Sequence, residues 1–115
     1  MNISLLNSAV LMMFLAGCAV IDTADEDTFK PSTAIYLCTG GETVSARYLS
    51  ADTASVAYRG KSYDMRIAIS ASGARYVGSE LEWWTKGIGA GAEGTLYQHN
   101  ADNTTGATVA ACVQK

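Results

Sequence analysis

From about Ala34 onward the chain alternates apolar and polar side chains in short runs broken by glycine and small polar residues. In KSYDMRIAI, Tyr63, Met65, Ile67 and Ile69 share one face and Ser62, Asp64, Arg66 and Ala68 the other. That two-residue period is the mark of a strand with one side on a core. The preceding ASVAYR joins it across Gly60-Lys61, and a glycine first in a two-residue loop predicts a type II′ hairpin. AIYLC, TVSARYL, SELEWWT, TLYQH and ATVAACV are further short strands, separated by Gly40-Gly41, Ala51-Asp52, GIGAGAEG and Asp102-Asn103. No helix-period run follows Pro31. The pattern predicts an all-β fold, a small antiparallel β-barrel or sandwich of about seven to eight short strands. Closure as a barrel would set the first and last strands side by side, and with them Cys38 and Cys112, within the roughly 7 Å that a disulfide needs between Cα atoms.

Ahead of these strands the pattern changes. Met1 to Gly17 carries no charged side chain and contains an apolar run from Ala9 to Ala16, the h-region of a secretory signal. It is too short for a membrane-spanning helix. Leu15-Ala16-Gly17-Cys18 follows directly and looks like the lipobox of bacterial lipoproteins, in which the cysteine thiol takes a diacylglyceryl group and becomes the new N-terminus. Residues 1–17 are therefore expected to be a lipoprotein signal peptide. Residues 18–33, acidic and broken by the only proline, are expected to be the lipidated N-terminus and a tether. Residues 34–115 are expected to be one domain. Ala19 after the cysteine, in place of Asp, looks like the sorting signal for the periplasmic face of the outer membrane. Export to an oxidising compartment leaves Cys38 and Cys112 to pair; in the chain-entropy model such a loop contributes roughly 4.5 kcal/mol.

The formal charge of −3 and a pI near 4.9 exclude a basic face for nucleic acid. Enzyme chemistry finds little support. Ser72 lies between Ala71 and Gly73, but the single histidine, His99, sits in a strand-like stretch where a solvated side chain is expected. Glu80 and Glu82, two apart on one strand, are expected to form a solubilising outer face, with Leu81 and Trp83 pointing inward. Gly89 to Gly94 matches G-x-G-x-x-G, yet no helix follows to make a phosphate site. One histidine and a cysteine pair supply no metal-ligand cluster, and the Asp25-Glu26-Asp27 run reads as solvated charge. Neither metal nor cofactor is expected beyond the covalent lipid at Cys18.

What remains is ISASGARY, followed across a short strand by EWWTKG. Together these resemble the membrane-bound and periplasmic inhibitors of C-type lysozyme. The first motif of that family, Ser-Gly-x-x-Tyr, is matched by Ser72, Gly73 and Tyr76; its second begins Lys-Gly after an aromatic strand, matched by Lys86 and Gly87. The lipobox, the flanking cysteines and the strand-rich pattern agree. IGAGAEGT after Gly87 makes the second loop longer and richer in glycine than is usual in the family.

The resemblance implies a small antiparallel β-barrel, not an enzyme, whose two motif loops enter the catalytic cleft of C-type lysozyme. Ser72 would offer a hydroxyl, Gly73 a close backbone approach, Lys86 an ammonium, and Tyr76 packing that fixes the loop. If Leu81 and Trp83 face inward, Trp84 and Lys86 share the outward face, making Trp84 a further interface residue; Arg75 is another, as a second cation for the acidic cleft. The implied partners are C-type lysozyme and, through the lipid, a membrane; nothing in the residues decides for or against a homo-oligomer. The alternative is an envelope binding module for cell-wall glycan or a small apolar ligand, with Trp83 or Trp84 as a stacking platform. A ligand-free scaffold ranks third, because it leaves SASGARY unexplained.

Overall fold

The computed structural model describes residues 29–115. The signal segment 1–17, Cys18 and the tether up to residue 28 lie outside the described residues. Eight strands follow in order: β1 Ser32–Cys38, β2 Thr43–Tyr48, β3 Thr53–Tyr58, β4 Lys61–Ala68, β5 Ala74–Gly78, β6 Leu81–Lys86, β7 Glu93–His99 and β8 Thr105–Gln114. Each pairs antiparallel with the next, and β1 pairs with β8, so the sheet closes into a barrel. The all-β barrel expected from the alternating pattern is the fold observed.

Closure is brief. β1 and β8 share only the register pairs Tyr36↔Gln114, Leu37↔Val113 and Cys38↔Cys112. The cysteines fall directly opposite one another and form the disulfide, with Cα atoms 3.8 Å apart. The covalent link therefore sits on the seam itself.

Inward-facing residues fill the interior. Trp83, Met65, Leu96, Val44 and Val56 are all 2% exposed or less, and burying each such side chain contributes roughly 1.5–3 kcal/mol. Trp83 is central: Tyr36 meets its ring edge-on at 4.9 Å, its indole N–H donates to the Tyr48 hydroxyl at 3.2 Å, and it packs over Gly94. The inward orientation of Trp83 read from strand parity is thus correct.

Two local expectations are corrected. The β3–β4 turn is centred on Arg59-Gly60, both at positive φ (51° and 75°), with Tyr58 paired to Lys61. This is the mirror-image type I′ geometry, one residue earlier than the type II′ turn expected at Gly60-Lys61; it matches the right-handed twist of the strands equally well. Ile67 and Ile69, assigned to the core row of β4, are 46% and 94% exposed. Ile67 pairs with the buried Tyr76 but lies where the barrel ends, and Ile69 lies past the last residue of β4. Alternation identifies a face of a strand but not where the strand stops.

Replacing Cys38 and Cys112 together by alanine should lower unfolding free energy by about 2–5 kcal/mol in denaturant titrations. A loss under 1 kcal/mol would mean that the three seam pairs close the barrel without help.

Candidate functional site

At one end of the barrel tight two-residue turns, Arg59-Gly60 and Ser79-Glu80, join β3 to β4 and β5 to β6, and the segments 39–42 and 100–104 join β1 to β2 and β7 to β8. At the other end, the segments 49–52, 69–73 and 87–92 join β2 to β3, β4 to β5 and β6 to β7. This second end opens into a hollow of about 690 Å³, with Gly73, Gly87 and Ile88 at its edge and Tyr36, Tyr48 and Tyr76 among its walls. The motif residues singled out in the sequence meet at this rim. β1 also starts here, since Ser32 and Thr33 line the same hollow.

The 69–73 segment explains its own composition. Gly73 has φ +70°, and a Cβ placed there would lie 2.1 Å from the Thr85 carbonyl oxygen and 3.1 Å from Lys86 Cγ. Any side chain would drive the loop off β6, so the position requires glycine twice over, for conformation and for space. The same closeness brings the first motif against the second: Ala74 pairs with Thr85, and the Lys86 stem lies over Gly73. Ser72, next in line, is exposed. Its carbonyl accepts a 2.8 Å hydrogen bond from the Trp84 indole, while Ser70 Oγ donates to the Gly73 carbonyl at 2.9 Å.

Lys86 ends β6 with its side chain exposed. The long loop after it folds back on the end of β8: Gly91 N–H donates to the Gln114 carbonyl (2.9 Å), Gln114 N–H to Ala92 (2.8 Å) and Ala92 N–H to Gly89 (3.0 Å). Gly87, Gly89 and Gly91 all have positive φ, which accounts for the spaced glycines of GIGAG. The extra length is thus tied to the barrel, and it leaves Ile88 fully exposed at the rim.

On the outer wall the structure overturns one expectation. Glu82, read as part of a solubilising face, is 0% exposed. It does point away from Trp83, as parity requires, but three neighbours cover it. Arg75 binds it through two nitrogens (Nη2 at 2.6 Å, Nε at 3.1 Å), His99 Nδ1 lies at 2.7 Å, and the Thr105 hydroxyl donates at 2.7 Å. Burial by itself pushes the Glu82 carboxyl up, but the hydrogen bonds from Arg75, His99 and Thr105 outweigh it and bring the pKa down to about 2. Its oxygens accept only, so His99 must carry its proton on Nδ1. His99, expected to be solvated, has a side chain only 16% exposed.

The site residues read from the sequence therefore divide into groups. Ser72, Gly73, Lys86 and Gly87 gather at the rim. Tyr76 is buried, its ring 5.5 Å from that of Tyr48, a packing position. Arg75 is bound to Glu82 and Trp84 to the Ser72 carbonyl, although Trp84 does share the outward row with Lys86. Sequence reasoning missed the exposed rim isoleucines Ile69 and Ile88; for Ile88 the signal was available, an apolar residue between two glycines with no strand to bury it. It also missed the Glu82 cluster, whose members come from four strands. The acidity of the chain is placed unevenly as well: Asp22, Asp25, Glu26 and Asp27 all precede residue 29, whereas every Lys and Arg follows it. The barrel is close to neutral.

Among the described residues no group of three or more His, Cys, Asp or Glu could hold a metal ion. His99 ends β7 at the opposite end of the barrel from the Ser72 loop, so the serine has no histidine base beside it.

Residues 36–105 match the family model described as membrane-bound lysozyme-inhibitor of c-type lysozyme. A protein from Cupriavidus necator, named membrane-bound lysozyme inhibitor of C-type lysozyme, is 39% identical over 103 residues, covering 82% of this chain and 79% of its own. The chain belongs to this family.

The Glu82 cluster carries a pH dependence of known sign. The folded-state pKa lies below the unfolded value near 4.5, so its stabilisation is complete above that value and is lost as pH falls from about 4.5 toward 2. The amount is on the order of 3 kcal/mol. Glu82→Gln should therefore cost several kcal/mol at pH 7 in denaturant titrations, and the gap between the two proteins should narrow as pH falls below 4.5. A constant gap would place the stabilisation elsewhere.

Proposed function

We propose that this member of the lysozyme-inhibitor family blocks C-type lysozyme by placing the Ser72-Gly73 loop and the Lys86-Gly87 loop in the enzyme's catalytic cleft. One observation supports the reading above the others: the two motifs, on either side of a hairpin, come into contact at one rim, with the Lys86 stem against Gly73. Family membership supplies the partner.

The chemistry of the target explains the residue types. Lysozyme uses one carboxyl kept protonated by an apolar pocket and a second, ionised carboxylate across the cleft. The exposed Ser72 hydroxyl can donate to either group, and the Lys86 ammonium can pair with the ionised one. No glycosidic bond is presented, so the cleft is filled without turnover. Ile69 and Ile88 flank these polar groups and would bury apolar area against the walls of the cleft. Long-range attraction for a basic lysozyme would come from the acidic residues 22–27, since the barrel is nearly neutral.

The remaining parts follow from the leader. A lipid on Cys18 would hold the protein at the periplasmic face of the outer membrane, with no cofactor and no catalytic activity of its own. Because β1 begins at the rim that carries the motif loops, the tether would leave the barrel beside the lysozyme site.

The tyrosine-lined hollow favours one second reading, a module that binds a glycan fragment or a small apolar ligand. Binding of such fragments with no effect on lysozyme would support it.

The purified chain should inhibit C-type lysozyme in a cell-wall lysis assay, and absence of inhibition at micromolar inhibitor would sink the proposal. Ser72→Ala should weaken binding by about 1–3 kcal/mol and Lys86→Ala by about 2–5 kcal/mol. Ile88→Ser should cost about 1–2 kcal/mol in the same titration; wild-type affinity in that variant would show that the long loop stays clear of the enzyme.

A further inference from the structure

The 69–73 loop lacks the usual means of holding a turn: none of the loop backbone–backbone hydrogen bonds among the described residues involves it. Three of its carbonyls are instead taken by side chains. Arg75 Nη1 donates to Ile69 (3.2 Å), Trp84 Nε1 to Ser72 (2.8 Å) and Ser70 Oγ to Gly73 (2.9 Å). Two of these donors form one unit on the outer wall. Arg75 and Trp84 are direct cross-strand partners of β5 and β6, and the guanidinium lies 5.9 Å from the indole ring centroid. The buried Glu82 carboxylate grips the same guanidinium at two nitrogens, leaving it little freedom to turn elsewhere.

We infer that Arg75 and Trp84 are positioning residues: anchored by Glu82, they hold the Ser72 loop in its binding geometry rather than themselves contacting lysozyme. The inference rests on the proposed inhibition of lysozyme for its affinity readout and revises the sequence-based assignment of both residues to the interface. An unanchored loop would have to be ordered on binding, and that ordering lowers affinity without removing any contact. The indole N–H, not the ring face, carries the effect.

The test is a double-mutant cycle on the full chain, read by titration against C-type lysozyme. Trp84→Phe keeps the aromatic ring and removes the N–H donor. It should weaken inhibition about tenfold, with the thermal midpoint within a few degrees of wild type. Combined with Ser72→Ala it should weaken inhibition by less than the product of the two single effects, because the order of the loop matters only for the contacts that loop makes, the Ser72 hydroxyl among them. Multiplying effects, or an unchanged Trp84→Phe, would overturn the inference. Arg75→Lys, which keeps the charge and loses the fork, should weaken inhibition as Trp84→Phe does, with a lower thermal midpoint from the lost Glu82 hydrogen bond, and provides a second variant should the first fail to fold. Backbone order parameters of Ala71–Gly73, measured without lysozyme, should fall from about 0.85 to below 0.6 in either variant. Unchanged order there overturns the positioning role even if the wild type proves inactive, whereas inactivity of the wild type with the expected loss of order overturns only the proposed function.

Discussion

The β1–β8 seam spans three register pairs, and every other feature of the molecule depends on its staying shut. A barrel has no sheet edge only while its first and last strands remain paired. Opening them would expose both edges and the Tyr36–Trp83 contact that fills the interior beside them. The disulfide joins buried, inner-facing residues of the two terminal strands that lie directly opposite one another. It therefore restrains the chain where non-local pairing is shortest and loop closure is longest, 74 residues apart.

Closure leaves the ends of the barrel to carry irregular backbone. The opposite end joins two strand pairs by two-residue turns and two by the segments 39–42 and 100–104; at the rim, 69–73 and 87–92 are each held by bonds of a different kind. The second loop is bonded backbone to backbone onto the end of β8. The first relies on side chains from the outer wall, a rigid sheet surface that can fix a loop too small and too rich in glycine to fix itself.

That wall is unusual for an antiparallel sheet, whose outer face normally carries solvated residues. Here it buries an ionised glutamate. The desolvation cost of such a group is offset only by near-complete hydrogen bonding, and Glu82 meets the condition with Arg75, His99 and Thr105. Glu82, which looks solubilising in the sequence, is thereby a structural element of the outer wall, while Glu80 stays exposed.

Much of the fold was legible in the sequence. Period-two alternation located the strands and oriented Trp83 inward, and cysteines near both ends of the strand-rich segment announced the seam. The Ser72-Gly73 and Lys86-Gly87 motifs were legible through their family resemblance, and the close approach and sharp turn expected of Gly73 are both present. The burial of Glu82 and the exposure of Ile69 were not. Alternation distinguishes two faces of a strand, but whether an outward residue meets water depends on what neighbouring strands place beside it. Arg75, His99 and Thr105 reach Glu82 only through the registers of β5, β7 and β8, and that register is set by the whole closed barrel. The chain by itself determined the strands and the chemistry offered at the rim. Tertiary structure decided which polar side chains are free to bind and which are held by their neighbours, because that depends on contacts between residues far apart in sequence.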